Sequence, residues 1–414
     1  MARVITDEAK IEELLSRGVA NIFPDKASLK KLLKSGRPIT LYCGYDPTSP
    51  TLHIGHGITI RKLAKFLELG HKVIFLFGDF TAQIGDPTDK MATRKSLTHQ
   101  QVLANAKGYR KQINKILDLK KATLRFLHNE KWTNKLKPVD MLELASNFTV
   151  SRLLERDMFQ ERIKSGREIY VHEFLYPIFQ AYDAVTMDVD LQIGGNDQMF
   201  NMLAGRTLMK KKKNKEMFVL TTKLLEDPSG KKMGKTEGNM ITLIDEPAEM
   251  YGKVMNWPDE MILPAFEILT DVSFDTLKDI KLELQVKKIN PRDLKMQLAK
   301  EVVRIYQGEP AAQTAEENFK RVFQQGQKPE EIKQVKINLS AQAKDEDKKI
   351  GVLDLFVLVG LARSNSEVRR LIKEGAIRID DEKIVNESLE VKIPANGLLL
   401  QKGKKQFLKV INGK

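Results

Sequence analysis

The sequence predicts an α/β protein: a parallel-sheet domain with a helical insertion, then an α-helical domain and a small α+β domain. Three observations carry that expectation. A strand-like run, a helical run and a second strand-like run follow one another between residues 39 and 77. Composition turns helical beyond Pro247, and a polar, charge-rich stretch sets off the last 65 residues.

At 414 residues with 42% hydrophobic content, the chain is long enough for several domains with buried cores. Lys and Arg outnumber Asp and Glu by 69 to 55, a net charge of +14 that suits a polyanionic partner. The single cysteine, Cys43, excludes an intrachain disulfide and a multi-cysteine zinc site. It fits a reducing, cytoplasmic location.

The opening "MARVITDEAKIEELLSRG" mixes acids into an amphipathic pattern and has no apolar core before a cleavage site. No signal peptide is expected. No apolar run reaches the ~18 residues of a membrane span, so no membrane partner is expected either. Helical periodicity covers Lys10 to Leu33, and "ITLYCG" follows as a strand ending on glycine. After a proline-containing loop, "IGHGITIRKLAKFLELG" predicts a helix stopped by Gly70, and "KVIFLFGDF" a second buried strand. This order implies a right-handed crossover in a parallel, Rossmann-like sheet. Ligands then belong beyond the strands' carboxyl ends, where the loops after Cys43 and Phe77 should meet.

The pattern from about 98 to 166 is mostly helical and reads as the insertion; "VDLQIGG" near residue 190 is strand-like. The lysine run from Lys210 suits a solvated loop or helix end. Turn residues dominate "LLEDPSGKKMGKTEGNMITL", so an exposed loop is expected at about 226–240. The first domain is expected over 1–246, the helical domain over 247–325, a linker over 326–349 and the last domain over 350–414. There, Ser364 and Glu367 have capping-box spacing, with an alternating strand after Gly375.

If the first crossover helix begins near Ile54, His53 and His56 occupy its first turn, where free amides and the dipole favour an anion. Capping, or a metal pair needing a third ligand, stays open as an alternative. "IGDPTDKMATR" sets Asp86 at a strand end with Lys90 and Arg94 beyond it, suited to a polyphosphate or to a plain surface turn. "GKKMGKT" imitates a P-loop, but three residues instead of four separate its glycines, and no strand precedes it. That motif is excluded; Lys232, Lys235 and Thr236 remain as a cationic clamp.

"HIGH" at 53–56 with "KMGKT" at 232–236 resembles the paired signature of class I aminoacyl-tRNA synthetases. "YCGYDPT", "IGDPTDK", "YPIFQAYD" and "LQIGGNDQ" resemble the tyrosine-specific family among them, over nearly the whole chain. The resemblance implies a catalytic first domain, a tRNA-side helical domain with "NPRD", and a small RNA-binding last domain. It implies ATP as substrate with Mg2+, no bound zinc, tRNA(Tyr) and L-tyrosine as partners, and a homodimer joined through 98–166.

Chemistry supports tyrosine separately. A phenol needs a buried donor and acceptor, which Tyr42 and Asp183 would supply and phenylalanine would leave unpaired. By resemblance Tyr176, Gln180 and Asp86 hold the substrate ammonium, with Gln198 near its carboxylate and Gln192 beside the pocket. Tyr176, Gln180 and Asp183 fall on one helix face at spacings of four and three. Gly44, Asp46, Thr59, Gly195 and Asp197 match contacts to the amino group, ribose and adenylate. His53, His56 and Thr48 would grip phosphates opposite Lys232, Lys235 and Thr236.

Three departures stand out, the first two marking a subgroup and the third bearing on the RNA contacts of the last domain. No tryptophan follows Asp-Gln, Asp183 to Gly194 is short, and "DDEK" replaces an Asn-Gly turn in the last domain. A tryptophanyl-type enzyme and an inactive RNA-binding relative are the alternatives.

Overall fold

The computed structural model describes residues 4–87, 97–230, 240–286, 289–324, 332, 334–337, 349–394, 396–403 and 406–413. Chain contacts divide it into two compact units, Met1–Ala312 and Gln313–Lys414.

In the first unit, Asp7 and Asp25 cap α1 (Glu8–Ser16) and α2 (Lys26–Lys34), each accepting a backbone amide three residues on. Between them lies β1 (Val19–Phe23), which breaks the helical run expected over Lys10–Leu33. Its apolar residues pair antiparallel with β6, so sheet pairing overrides the local helical period.

The crossover consists of β2 (Thr40–Tyr45), α3 (Ile54–Glu68) and β3 (Lys72–Phe77), with β2 and β3 parallel throughout. Beyond it come α4 (Thr81–Ile84), α5 (His99–Ala106), α6 (Tyr109–Ile113) and β4 (Leu124–His128). β4 joins β3 in parallel, so the mostly helical stretch 98–166 also supplies an edge strand. A five-residue strand bounded by lysines leaves little periodic signal.

Short helices follow: α7 (Glu130–Thr133), α8 (Pro138–Ala145), α9 (Val150–Leu154) and α10 (Asp157–Lys164). The long α11 (Val171–Met187) leads to β5 (Leu191–Gly195), α12 (Met199–Lys213) and β6 (Phe218–Thr222). Lys210–Lys213 form the last turn of α12, where the dipole favours cations. The sheet order is β1-β6-β5-β2-β3-β4, parallel except for β1. Strand order therefore reverses between β2 and β5, and that switch point opens a crevice at their carboxyl ends.

Next are α13 (Pro247–Met255), α14 (Ile262–Leu269), α15 (Phe274–Gln285) and α16 (Pro291–Gln307), then α17 (Glu309–Phe319). "NPRD" starts α16 with Asn290 as its cap and Pro291 at the first helical position.

In the second unit, β7 (Gln334–Ile337) lies inside the stretch expected as a linker. It is followed by β8 (Lys349–Gly351), α18 (Val352–Leu358), α19 (Asn365–Lys373), β9 (Ile377–Ile379), β10 (Glu382–Lys383), β11 (Glu390–Lys392), β12 (Leu398–Lys402) and β13 (Gln406–Asn412). Strands order as β10-β9-β12-β13-β7, with β11 and β8 paired apart, around a core including Val352, Phe356, Val368 and Leu400. Ser364 caps α19 as its spacing predicts. Asp380 and Asp381 take φ values of 45° and 73°, so "DD" makes the hairpin turn that Asn-Gly makes elsewhere.

Candidate active site

Sequence-predicted residues gather at the switch point. Tyr42 of β2 and Gln192 of β5 are register partners, and both are buried. Tyr176, Gln180 and Asp183 come from one face of α11, with Tyr176 and Asp183 buried and Gln180 half-buried.

At one end lies Asp183, 2% exposed. Trp132 Nε1 donates to its Oδ1 at 2.7 Å, and Asn129 Nδ2 to its Oδ2 at 3.1 Å. Burial nevertheless pushes Asp183 up to about 8, against the pull of both donors. Asn129 is itself fixed, accepting from the Phe80 amide at 2.9 Å and donating to Thr81 Oγ1 at 3.1 Å. The Tyr42 hydroxyl donates to the Gln180 carbonyl at 3.4 Å, a long bond that a better acceptor or donor can replace. Gln192 Oε1, buried nearby, has no hydrogen-bond partner among the described residues.

Next to this end is a group of carboxylates. Asp46 accepts from Tyr176 Oη and from Thr81 Oγ1, each at 2.8 Å. Its carboxylate lies so near Gly78 that a Cβ there would come within 1.9 Å of Oδ1, which only glycine avoids. Burial raises Asp46 to about 7, with Asp86 and Asp79 adding to the rise and the two hydroxyl donors opposing it. Gln198 donates to Asp86 Oδ2 and accepts from Asn201 at 2.9 Å. Arg156, 5% exposed and held over the rings of Phe159 and Phe200, stands 3.8 Å from Asp86 Oδ1. Two carboxylates, a phenol and an amide in one place make a site for a cation.

The other end is built on the start of α3. His53 is the N-cap, and its amide donates to His56 Nδ1 at 3.2 Å; the rings stack at 3.8 Å. Since Nδ1 of His56 accepts, the proton of the neutral ring belongs on Nε2, which makes that atom a donor. Thr59 is 7% exposed, and its hydroxyl joins Tyr45 Oη (2.9 Å) to the His56 carbonyl (3.0 Å), so it backs the histidine turn. Gly44, near the end of β2, and Thr48, on the chain leaving it, are exposed. Gly195 ends β5, and a short 3-10 turn then carries Asp197 and Gln198.

Chain from two other places meets this turn. Asn105, Tyr109 and Gln112 of α5 and α6 donate to the carbonyls of Pro47, Ser49 and Pro50 at 2.8–2.9 Å, and Gln112 also accepts the Leu52 amide at 2.7 Å. Residues 241–243 bridge to 52–54: Ile54 N donates to Ile241 O and Leu243 N to Leu52 O, both at 2.9 Å. The chain that follows 231–239 thus runs beside His53. Lys232, Lys235 and Thr236 fall within 231–239, and Lys90 and Arg94 within 88–96; all five lie outside the described residues.

Sequence reasoning missed Asn129, Trp132, Thr81 and Arg156. Asn129 and Trp132 reach Asp183 from 54 and 51 residues away, which no local motif reports. For Arg156 the only signal was an arginine among charged neighbours, which resembles a solvated face. Among the described residues no three His, Cys, Asp or Glu lie together to hold a metal ion.

The family model of class I tRNA synthetases (W and Y) matches residues 34–324. The chain is 41% identical to a tyrosine–tRNA ligase of Desulfotalea psychrophila over 96% of this chain and 97% of that one. It is 42% identical to one from Carboxydothermus hydrogenoformans over 98% of each. Its fold is similar to a tyrosyl-tRNA synthetase of Archaeoglobus fulgidus solved with L-tyrosine, with TM-score 0.59, 22% identity, and 75% of this chain and 100% of that chain covered. A truncated mitochondrial tyrosyl-tRNA synthetase of Aspergillus nidulans gives TM-score 0.62 at 22% identity, covering 76% of this chain and 94% of that one.

Proposed function

The chain belongs to the class I tRNA synthetases and, within them, to the tyrosine–tRNA ligases, and from that premise we propose how its residues divide the work. The enzyme uses ATP to join tyrosine to tRNA. In the first step the substrate carboxylate attacks the α-phosphate of ATP, forming tyrosyl-adenylate and releasing pyrophosphate. In the second, a terminal ribose hydroxyl of tRNA(Tyr) takes the tyrosyl group and AMP leaves. The attacking carboxylate is already ionised, so catalysis is positioning plus stabilisation of charge on the leaving pyrophosphate. Magnesium arrives with the ATP phosphates.

The observation that carries the reading is Asp183, a buried carboxylate with Trp132 and Asn129 on its two oxygens and Tyr42 close by. It takes the substrate phenol as one more donor, while Tyr42 completes the hydroxyl's partners and Gln192 lines the pocket. Tyr176, Gln180, Asp86 and Asp46 hold the ammonium, with Gln198 near the carboxylate. Gly44, Gly195 and Asp197 face the adenylate, backed by Thr59. His53, His56 and Thr48 grip phosphates from one side and Lys232, Lys235 and Thr236 from the other, with Lys90 and Arg94 as further cations.

Residues 247–325 and 350–414 hold the tRNA, chiefly through its phosphates. A homodimer forms through the 98–166 region and the start of α11, where Val139 (64%), Leu142 (72%), Val150 (64%) and Val171 (78%) are exposed apolar residues. The protein works in the cytoplasm, where Cys43 stays reduced.

The test is tyrosine-dependent exchange of labelled pyrophosphate into ATP without tRNA, with phenylalanine and tryptophan as competitors. Exchange with tyrosine alone is expected. Equal exchange with phenylalanine would remove Tyr42 and Asp183 from the phenol, and sedimentation as a monomer at working concentration would remove the dimer.

A further inference from the structure

Two consecutive residues at the end of α16 reach both segments on the nucleotide side. Tyr306 is 2% exposed, and its hydroxyl has no hydrogen-bond partner among the described residues. It lies against the first turn of α3: a Cβ on Gly57 would come within 2.3 Å of Oη. A phenylalanine would fill the core as well without burying an unpaired hydroxyl, so packing alone does not account for the oxygen that stands against Gly57.

Gln307 faces the other segment. Its Nε2 donates to the carbonyls of Leu243 at 3.3 Å and Asp245 at 3.1 Å, while Lys115 Nζ holds its Oε1 at 2.9 Å. Leu243 is the residue whose amide donates to Leu52. Asp245 is anchored in turn, accepting the Thr242 amide at 3.0 Å and Lys253 Nζ at 2.6 Å. One helix end therefore abuts the histidine turn through Tyr306 and holds the chain that follows 231–239 through Gln307.

We propose that Tyr306 and Gln307 are positioning residues for adenylate formation, setting the separation between the His53–His56 turn and the segment carrying Leu243 and Asp245. The inference rests on the reading that the histidine turn and the residues preceding the Leu243–Asp245 segment grip the nucleotide. Its consequence is that α16, which belongs to the helical region and touches neither tyrosine nor ATP in that reading, adjusts the first chemical step. Misplacing such a pair by a fraction of an ångström costs rate without costing tyrosine affinity.

The experiment measures single-turnover adenylate formation per titrated active site, together with tyrosine Kd, so that misfolded protein does not count. Gln307→Met keeps length and packing but loses both carbonyl bonds; a rate about tenfold lower with unchanged tyrosine Kd is expected. Gly57→Ala should slow the step by a similar factor, and Gly57→Ala with Tyr306→Phe should recover part of it, because the atom 2.3 Å away is gone while the ring carbons at 3.0 and 3.2 Å stay tight. An unchanged rate per site in Gln307→Met, or no recovery in the double variant, overturns the proposal. His53→Ala is run alongside. If it slows the step while Gln307→Met does not, the positioning role alone is wrong; if His53→Ala has no effect, the nucleotide reading fails and takes this inference with it.

Discussion

Around Asp183 each carboxylate oxygen has a side-chain donor before any substrate arrives, and one donor, Asn129, is itself fixed by Phe80 and Thr81. Around His53 and His56 the side chains are half-buried, and the cations expected opposite them come from a separate stretch of chain. In the proposed reading the amino-acid end is thus organised by the fold, and the nucleotide end by segments that meet there. Preorganised polar groups give discrimination in binding, whereas groups assembled around a developing charge give rate. Substitutions at the two ends should therefore separate affinity from chemistry.

The largest effect is expected from Asp183→Ala. It removes the proposed phenol acceptor and strands Trp132 Nε1 and Asn129 Nδ2 in the interior, where each unsatisfied buried donor costs about 1–3 kcal/mol, about 2–6 kcal/mol for the two. That corresponds to roughly 10–10⁴ in kcat/KM for tyrosine. Steady-state exchange kinetics check it, with ATP binding as the control for folding. A drop of less than tenfold would mean the amino-acid end is not organised around this carboxylate.

His56→Ala comes next and should act in the opposite column. Loss of one donor to developing charge costs about 10²–10³ in rate, while tyrosine Kd should stay within about twofold of wild type. Rapid quenching of adenylate formation and equilibrium dialysis of tyrosine measure the two quantities. Equal losses in both would erase the contrast between the ends.

Trp132→Phe sharpens the first result. An aromatic ring is kept, the 2.7 Å bond to Asp183 is lost, and part of the indole that packs on the core goes with it. A hydrogen bond to a carboxyl that burial holds mostly protonated at neutral pH contributes about 0.5–1.5 kcal/mol, so tyrosine affinity should fall by roughly 2–10-fold with little change in the rate of a saturated enzyme. A change in rate alone would place Trp132 with the nucleotide end.

The same division explains what the sequence made legible. The β2–α3–β3 crossover was readable because strand and helix periods run over long, glycine-bounded segments, and α11 because Tyr176, Gln180 and Asp183 repeat at helical spacing. β1 and β4 were not, since each has five residues and sits at a sheet edge where half-burial blurs alternation. Tyr42 and Asp183 could be named from chemistry, as a phenol demands such partners. Asn129 and Trp132 could not, because they act on Asp183 and not on the substrate, and what places them is packing between distant segments. Arg156 shows the same limit: a charged side chain becomes informative only once its burial is known.

Asp46 offers the smallest effect and the finest test, because it stands between the two ends. Burial raises its carboxyl to about 7, so near neutral pH the free enzyme holds it partly protonated. A substrate ammonium beside it favours the carboxylate and lowers that value. Tyrosine binding should then release about half a proton near pH 7. The sign follows from occupancy: the free enzyme carries more protons on Asp46 than the complex does, so affinity should rise with pH toward 7. Above that the free carboxyl is already ionised, and its share of the release should fade by about pH 8.5. Calorimetry of tyrosine binding in two buffers of different ionisation enthalpy reads the release directly. Asp183, pushed up to about 8, adds a share of its own, and because Thr81 Oγ1 also accepts from the Asn129 that holds Asp183, that share is read separately in Trp132→Phe. Thr81→Val removes a hydroxyl that donates to Asp46 at 2.8 Å and lowers its pKa. The Asp46 share should therefore move to higher pH in that variant while affinity at pH 6 weakens severalfold. Release that ignores Thr81→Val would mean the proton comes from elsewhere and that Asp46 does not face the ammonium.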